Sequence, residues 1–417
     1  MSAAIWTREF LESARGRMDP LADRAVAAVF ETGSIDRVNQ LMTDMVGHSE
    51  KPPADLPAPV REYIEASSTL PEWADPEQIR IGEEIFGEWG TCSCTILACA
   101  SLPECYLMKN GIHVLATTQR LERHTRRRVL ETAQMIMSVM LKGGLAPDGP
   151  GIRTAQKVRL MHATIRFLIQ HEPDEQALQG RHDTLAHVLQ RERWKPEYGK
   201  PVNQEDLAFT LMTFSHVALR SLDRLGVSLT DEEKNAYVHC WNIVGHVMGI
   251  EKELLPANHE EAKILFERIK EHQGGVTDEA RNMERVLLEF LEALMPHGPL
   301  KRLTVTVTRN LVGEADADAL GIPRLSLWDR TVHSAVMGLW RLIDRELARV
   351  YRGHSKLRFG SVCLHDRLMI EIGEMPKGWN KELFNMPTDL IARLPPDWKR
   401  DPIKVPSTFT SGLLSKL

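Results

Sequence analysis

Three predicted helices carry histidine inside an otherwise apolar stripe, and these imidazoles are the residues of this 417-residue chain best placed for chemistry. In AQKVRLMHATIRFLIQ, Val158, His162, Ile165 and Ile169 recur at steps of 4, 3 and 4. EDLAFTLMTFSHVALRSL sets Ala208, Met212, His216 and Leu219 on one face. EKNAYVHCWNIVGHVMGI does the same for Ala236, His239, Ile243, His246 and Ile250. Such spacing gathers side chains on one side of a helix. An imidazole there needs a partner, because a polar ring left unsatisfied in apolar surroundings costs free energy. One such histidine can be a core residue donating to a backbone carbonyl. Three helices of this kind point to a shared pocket.

The accompanying residues decide between chemistries. A zinc or carboxylate-bridged iron site wants His with a carboxylate at helical spacing, as in H-E-x-x-H or E-x-x-H, and no stripe here has that pair. Haem needs only one or two axial donors in an apolar slot, with cations for its propionates. Arg153, Arg159 and Arg166 lie on the His162 helix, and Arg159 and Arg166, seven apart, share a face. Haem is therefore favoured, and the lack of a C-x-x-C-H string makes it a non-covalent b type. Four of the six cysteines crowd into CSCTILACASLPEC as Cys92, Cys94, Cys99 and Cys105. That spacing holds no C-x-x-C pair, and its apolar neighbours predict buried structural thiols rather than a metal site.

The elements that position these groups divide into three stretches. Residues 1–75 read as a helical N-terminal extension followed by the proline-rich linker KPPADLPAP (51–59). Residues 76–295 form the haem-binding helical core, with breaks at Gly90, Pro103, Gly111, Gly143–Gly151, Pro196–Pro201, Gly226 and Pro256. Residues 296–417 hold a helix from about 326 to 351 and a proline-rich tail, which Trp379, Leu383, Phe384 and Trp398 predict to pack on the core. LTVTVT (303–308) is the one β-type run and is allowed at most a short strand. The fold class is all-α.

Composition narrows the partners. Hydrophobic residues at 43% and charged residues at 26% are ordinary globular usage. The balance of 52 Lys+Arg against 57 Asp+Glu leaves −5, so no basic field exists to hold nucleic acid. Arg8, Glu9 and Glu12 interrupt any secretion signal, which predicts a cytoplasmic protein. The longest mostly apolar run, residues 132–141, is half the length of a membrane span.

Three segments carry a resemblance: ASLPECYLMKNGIHVLATT, GGLAPDGPGIRTAQKVRLMHATIR, and DLAFTLMTFSHVALRSLDRLGVSLTDEEKNAYVHCWNIVGHVMGI. They resemble the latex clearing protein (rubber oxygenase) family, which includes the fungal oxygenase of mycophenolic acid biosynthesis. The likeness runs from about Gly82 to Ile250 and returns weakly at VTRNLVGEADADALGIP. It implies a globin-like helical core, one b-type haem, and O2-dependent cleavage or oxidation of an olefinic, terpenoid-like substrate. His162, His239 and His246 match the family pattern. The family's proximal histidine falls on Met212, its distal lysine on Leu160 and the following threonine on Met161. A glutamate proposed as a base corresponds to Glu131 in RRVLET, and an arginine before the C-terminal G-x-P segment to Arg309.

His216, one helical turn beyond Met212, is the expected axial ligand, with His162 and His246 as alternatives. Arg159 or Arg309 would neutralise a propionate, Glu131 would transfer protons, and Leu160, Met161 and Phe214 would line a dry distal pocket. The resulting expectation is a haem-dependent oxygenase or oxidase. It would act on a small apolar substrate (olefinic, terpenoid-like or aromatic) with O2 or peroxide, and with an electron donor where the reaction needs one. Two other readings stand beside it. One is a non-catalytic helical protein that binds haem or an apolar ligand. The other is a non-haem iron enzyme using His162, His239 and His246 with Glu131. Oligomeric state is not encoded in any motif.

Overall fold

The computed structural model describes residues 5–31, 56–119, 125–147, 149–170, 194–294 and 302–332, together with 334, 335 and 338. Helix starts are well marked. Thr7, Asn203, Thr230 and Asn258 each accept a backbone N–H from the first turn that follows, and Thr230 with Glu233 completes a capping box. The helices begin with α1 (Arg8–Arg15), α2 (Pro20–Glu31), α3 (Ala58–Ser68) and α4 (Pro76–Ile96). A π turn (Leu97–Ser101) leads into α5 (Leu102–Tyr106), α6 (Ile112–Gln119), α7 (Thr125–Met140) and α8 (Pro150–Gln170). Then come α9 (Gln204–Phe214), α10 (His216–Arg224), α11 (Asp231–Val247), α12 (His259–Gln273), α13 (Asp278–Leu294), α14 (Leu303–Val312) and α15 (Glu314–Ala319). The architecture is all-α. Among the described residues the sole trace of extended pairing is an isolated bridge between Met108 and Gly274.

Helices α4 and α11 run against each other through the centre of the main core. Gly82 permits that approach, since a Cβ there would collide with Cys240 Sγ and stand 2.9 Å from the Ala236 carbonyl. A satellite core lies beside it. Ala22, Ala25, Val26 and Val29 of α2 and Val60 and Tyr63 of α3 bury Leu160 and Ala163 of α8.

Local expectations need three corrections. LTVTVT is helical, in α14. Thr306 and Thr308 return their hydroxyls to the Arg302 and Thr304 carbonyls, and burial of Leu303, Val305 and Leu311 outweighs the small helix penalty of β-branched residues. Gly90 does not break α4, which continues to Ile96. Pro103 does not end the helical path; its missing N–H is accommodated by the π turn just before it, and the chain stays helical. Residues 327–332 are helical, while the rest of the helix expected to 351 and the tail lie outside the described residues. No helix among the described residues is long and apolar enough to cross a membrane.

Candidate functional site

The stripe expected to hold Met212 and His216 on one helix is divided in two. Ser215 (φ −99°, ψ −75°) ends α9, and its hydroxyl donates to the Leu211 carbonyl at 3.0 Å. His216 therefore becomes the first residue of α10. Met212 is fully buried. The His216 ring is half-buried, 5.3 Å from the Phe266 ring of α12, and its nitrogens have no hydrogen-bond partner among the described residues. Burial first, then the charges of Arg220, Lys263, His259 and Arg224, push its pKa to about 3. The imidazole is thus neutral near pH 7, the form that ligates a metal.

On α11, His239 and His246 flank one indole. The Trp73 ring meets His239 edge-on at 5.5 Å and His246 at 6.0 Å. His239 Nε2 accepts the Asp75 N–H at 2.9 Å, just where the Asp75 carboxylate accepts the Glu77 amide to start α4. One His239 nitrogen is thereby committed to joining two helices. His246 stays half-buried, and burial followed by the Arg159 charge lowers its pKa.

Helix α8 presents two different faces. Ala155 and Val158 enter the main core, with Ile165 packed against it. His162, in that same stripe, is half-buried. Leu160 faces the N-terminal helices in the satellite core rather than a distal pocket, and Met161 touches both cores. Arg159 and Arg166 do share a face, yet both are already paired with carboxylates, with all three nitrogens of Arg159 hydrogen-bonded and the Nη2 of Arg166 left without a hydrogen bond among the described residues. Arg159 donates through Nε and Nη2 to Asp19 at 2.6 and 2.8 Å and through Nη1 to the Val247 carbonyl at 3.0 Å. Arg166 donates to Asp23 at 2.7 Å and to the Val202 carbonyl. Arg309 is held likewise by Glu314, Asp318 and the Ile322 carbonyl.

The cation that sequence reasoning passed over is Lys157. Its side chain is buried without an acidic or hydrogen-bonding partner among the described residues, and burial, then Arg153, lowers its pKa to about 7. The signal was present in AQKVRL, where Lys157 stands one turn before Met161 on an otherwise inward helix.

Glu131 lies half-buried on α7. Phe214 stacks on Trp241 of α11 at 5.3 Å, an apolar wall beside the α9–α10 break. Cys99 and Cys105 are buried reduced thiols that burial raises to about 12 and 11, and Cys105 Sγ meets Thr213 Oγ1 at 3.3 Å. The side chains of Cys92 and Cys94 lie outside the described residues. Among the described residues no three His, Cys, Asp or Glu side chains converge on a point that could hold a metal ion. The non-haem iron reading with His162, His239, His246 and Glu131 required such a convergence.

This arrangement of helices has known counterparts. The family model described as "ER-bound oxygenase mpaB/B'/Rubber oxygenase, catalytic domain" matches residues 95–345, well over half of the chain. The chain belongs to this family. It is accordingly an oxidoreductase built on an oxygenase catalytic domain. Within the rubber oxygenase family, it is 23% identical over 330 residues to the rubber oxygenase of Streptomyces sp. (strain K30), spanning 76% of this chain and 74% of that protein. Its fold is similar to that of latex clearing protein LCP in the closed state. The TM-score is 0.66 at 22% identity, over 87% of this chain and 91% of the other. The family match takes in α5 to α15, including all three histidine stripes and the break at Ser215.

Proposed function

We propose that the chain is a haem-dependent oxygenase that acts on a small apolar, olefinic or terpenoid-like substrate with O2. The observation that carries this reading is a neutral, unpartnered imidazole, His216, beside fully buried Met212 inside the family's catalytic domain. The donor set fits a group that asks for one nitrogen in apolar surroundings. His216 supplies that nitrogen, with His162 and His246 as alternatives, and Lys157 supplies a buried amine that an adjacent carboxylate would hold in its protonated form. Haem b, when bound, supplies the redox chemistry that activates oxygen. One O2 added across one C=C gives two carbonyls, a balance that needs no external electron donor. Monooxygenase chemistry with O2 would need one, whereas peroxide would bring its own two electrons.

The protein's own groups would bind, dry and protonate. Phe266 supplies apolar surface at His216 itself, and buried Met212 and the Phe214–Trp241 stack supply it on the preceding helix α9 and on α11. Glu131 is the candidate to hold or move a proton at its carboxyl. Arg159 and Arg309 serve this reading by rigidity rather than contact, through their saturated carboxylate pairs. Latex is not the expected substrate, because the positions matching the family's proximal histidine and distal lysine hold Met212 and Leu160.

The test is product analysis under O2 with latex and a panel of small olefins in parallel. Oxygen-dependent carbonyl products from a small olefin, with little or none from latex, support the reading. Carbonyl-ended oligomers from latex at a rate comparable to the best small olefin contradict it.

A further inference from the structure

Glu284 is a buried acid for which the oxygenase reading has no use. It sits on α13 at 1% exposure, and neither carboxyl oxygen meets any hydrogen-bond donor among the described residues. Ion pairs explain most other buried acids here: Asp19 has Arg159, Glu205 has Arg15 and Glu104 has Arg220. For Glu284 the cause of its raised pKa, about 8, is burial, with no cation to offset it. At neutral pH it is therefore an uncharged carboxylic acid, with one O–H to donate and one carbonyl oxygen to accept.

Its surroundings repeat the pattern. Burial raises the pKa of the Cys99 thiol, Thr308 acts against that rise, and the Glu284 carboxyl stands near enough to add to it. One turn earlier on α14, the hydroxyl of Thr304 is also buried without a partner. Cys99 belongs to the π turn, an irregularity that in helices often marks functional sites. That turn is fastened to the α9–α10 break, since Ser101 Oγ donates to the Thr213 carbonyl at 2.7 Å, two residues before Ser215. The helices that carry the two unpartnered groups, α13 and α14, pack on each other, and α14 packs on the π turn, which is itself tied to the helix break carrying Met212 and His216.

We propose that Glu284, with Thr304 and the π turn, forms an interior site that hydrogen-bonds the single acceptor oxygen of an uncharged, otherwise apolar ligand. Leu287, Leu288 and Val305 supply apolar surface on the same two helices. A charged head group is excluded, because no cation faces the carboxyl among the described residues and an ionised partner would be left unsolvated. The ligand class rests in part on the oxygenase reading, in which cleavage of a C=C leaves molecules of this kind: apolar chains ending in a carbonyl.

The experiment uses the full chain, Glu284→Gln and Glu284→Leu, with geranylacetone as an apolar ketone and the corresponding hydrocarbon lacking the carbonyl. Infrared difference spectra at pH 7 should show a protonated carboxyl band in the parent protein that both variants lack. Geranylacetone should shift that band, and the hydrocarbon should not. By calorimetry, Glu284→Leu should weaken ketone binding about three- to tenfold, the range of one neutral hydrogen bond, without changing hydrocarbon binding. Glu284→Gln, which keeps a donor and nearly the same shape, should bind the ketone within about twofold of the parent. Three results overturn the proposal: no protonated band at pH 7, a band indifferent to the ketone, or equal loss of both probes in Glu284→Leu. None of these readouts depends on haem, so failure of the oxygenase reading and failure of this site are separable.

Discussion

Asp19 and Arg159, 140 residues apart in sequence, form a buried two-point pair at 2.6 and 2.8 Å that locks the entrance of α2 onto the middle of α8. The remaining arginine N–H group reaches the Val247 carbonyl at the end of α11, so one guanidinium joins three helices. Gly249 makes the contact sterically feasible. At φ +82° it adopts a conformation that glycine favours, and a Cβ there would stand 2.7 Å from both Arg159 and Asp19.

Breaking this pair from either side should therefore cost stability. Asp19→Asn takes the buried Arg159 guanidinium's carboxylate away, Arg159→Leu leaves buried Asp19 with only Arg166 at 3.9 Å for a cation among the described residues, and each should lower unfolding free energy by about 3 kcal/mol. Their combination should cost less than the sum, and Gly249→Ala should be destabilising as well. Urea unfolding with a double-mutant cycle measures this. If Arg159 instead held a cofactor, Arg159→Leu would lose that cofactor while Asp19→Asn kept it.

His239 should behave as a strut. Replacement by alanine leaves the Asp75 N–H unpaired at the start of α4, and should cost about 1–2 kcal/mol of stability. Cofactor content per folded chain should not change. Loss of cofactor from His239→Ala at unchanged stability would make His239 a ligand instead.

Glu284 should give the pH–stability curve a slope of known sign. Its folded pKa, about 8, lies above the ordinary glutamate value of 4.5, so between those limits the folded state holds a proton that the unfolded state has released. Stability attributable to this group is complete below about pH 4.5 and is lost as pH rises through about 8. Glu284→Gln removes that dependence. Its unfolding free energy relative to the parent should climb by roughly 4 kcal/mol from pH 5 to pH 8.5 and then level off. A difference that stays flat with pH would show that Glu284 titrates normally.

Much of this was legible in the residues, and the gaps have physical causes. The 3–4 spacing of apolar residues was enough to predict an all-α chain, and the seven-residue step correctly placed Arg159 and Arg166 on one face. Their partners were not legible, because Asp19 and Asp23 reach them only through tertiary packing across more than a hundred residues. The break at Ser215 involves neither glycine nor proline, so no local signal announced that Met212 and His216 belong to different helices. Leu160 read as pocket lining because the resemblance sets it where the family has a distal lysine, and a matched position cannot say which of two apolar neighbours a buried face will meet. LTVTVT shows propensity yielding to burial. Lys157 was hidden among three arginines, and only its buried, unpartnered environment sets it apart from them.

The central claim, a haem held by His216 within this catalytic domain, is tested most directly by the visible absorption spectrum of the protein purified from haem-supplemented cells, read beside that of His216→Ala. The account predicts a Soret band from about one acid–butanone-extractable haem per chain in the parent, and a lost or strongly shifted band in His216→Ala, because axial ligand identity is the protein's strongest lever on iron electronics. Colourless parent protein would contradict the haem reading. An unchanged Soret position and haem content in His216→Ala would contradict His216 as its ligand.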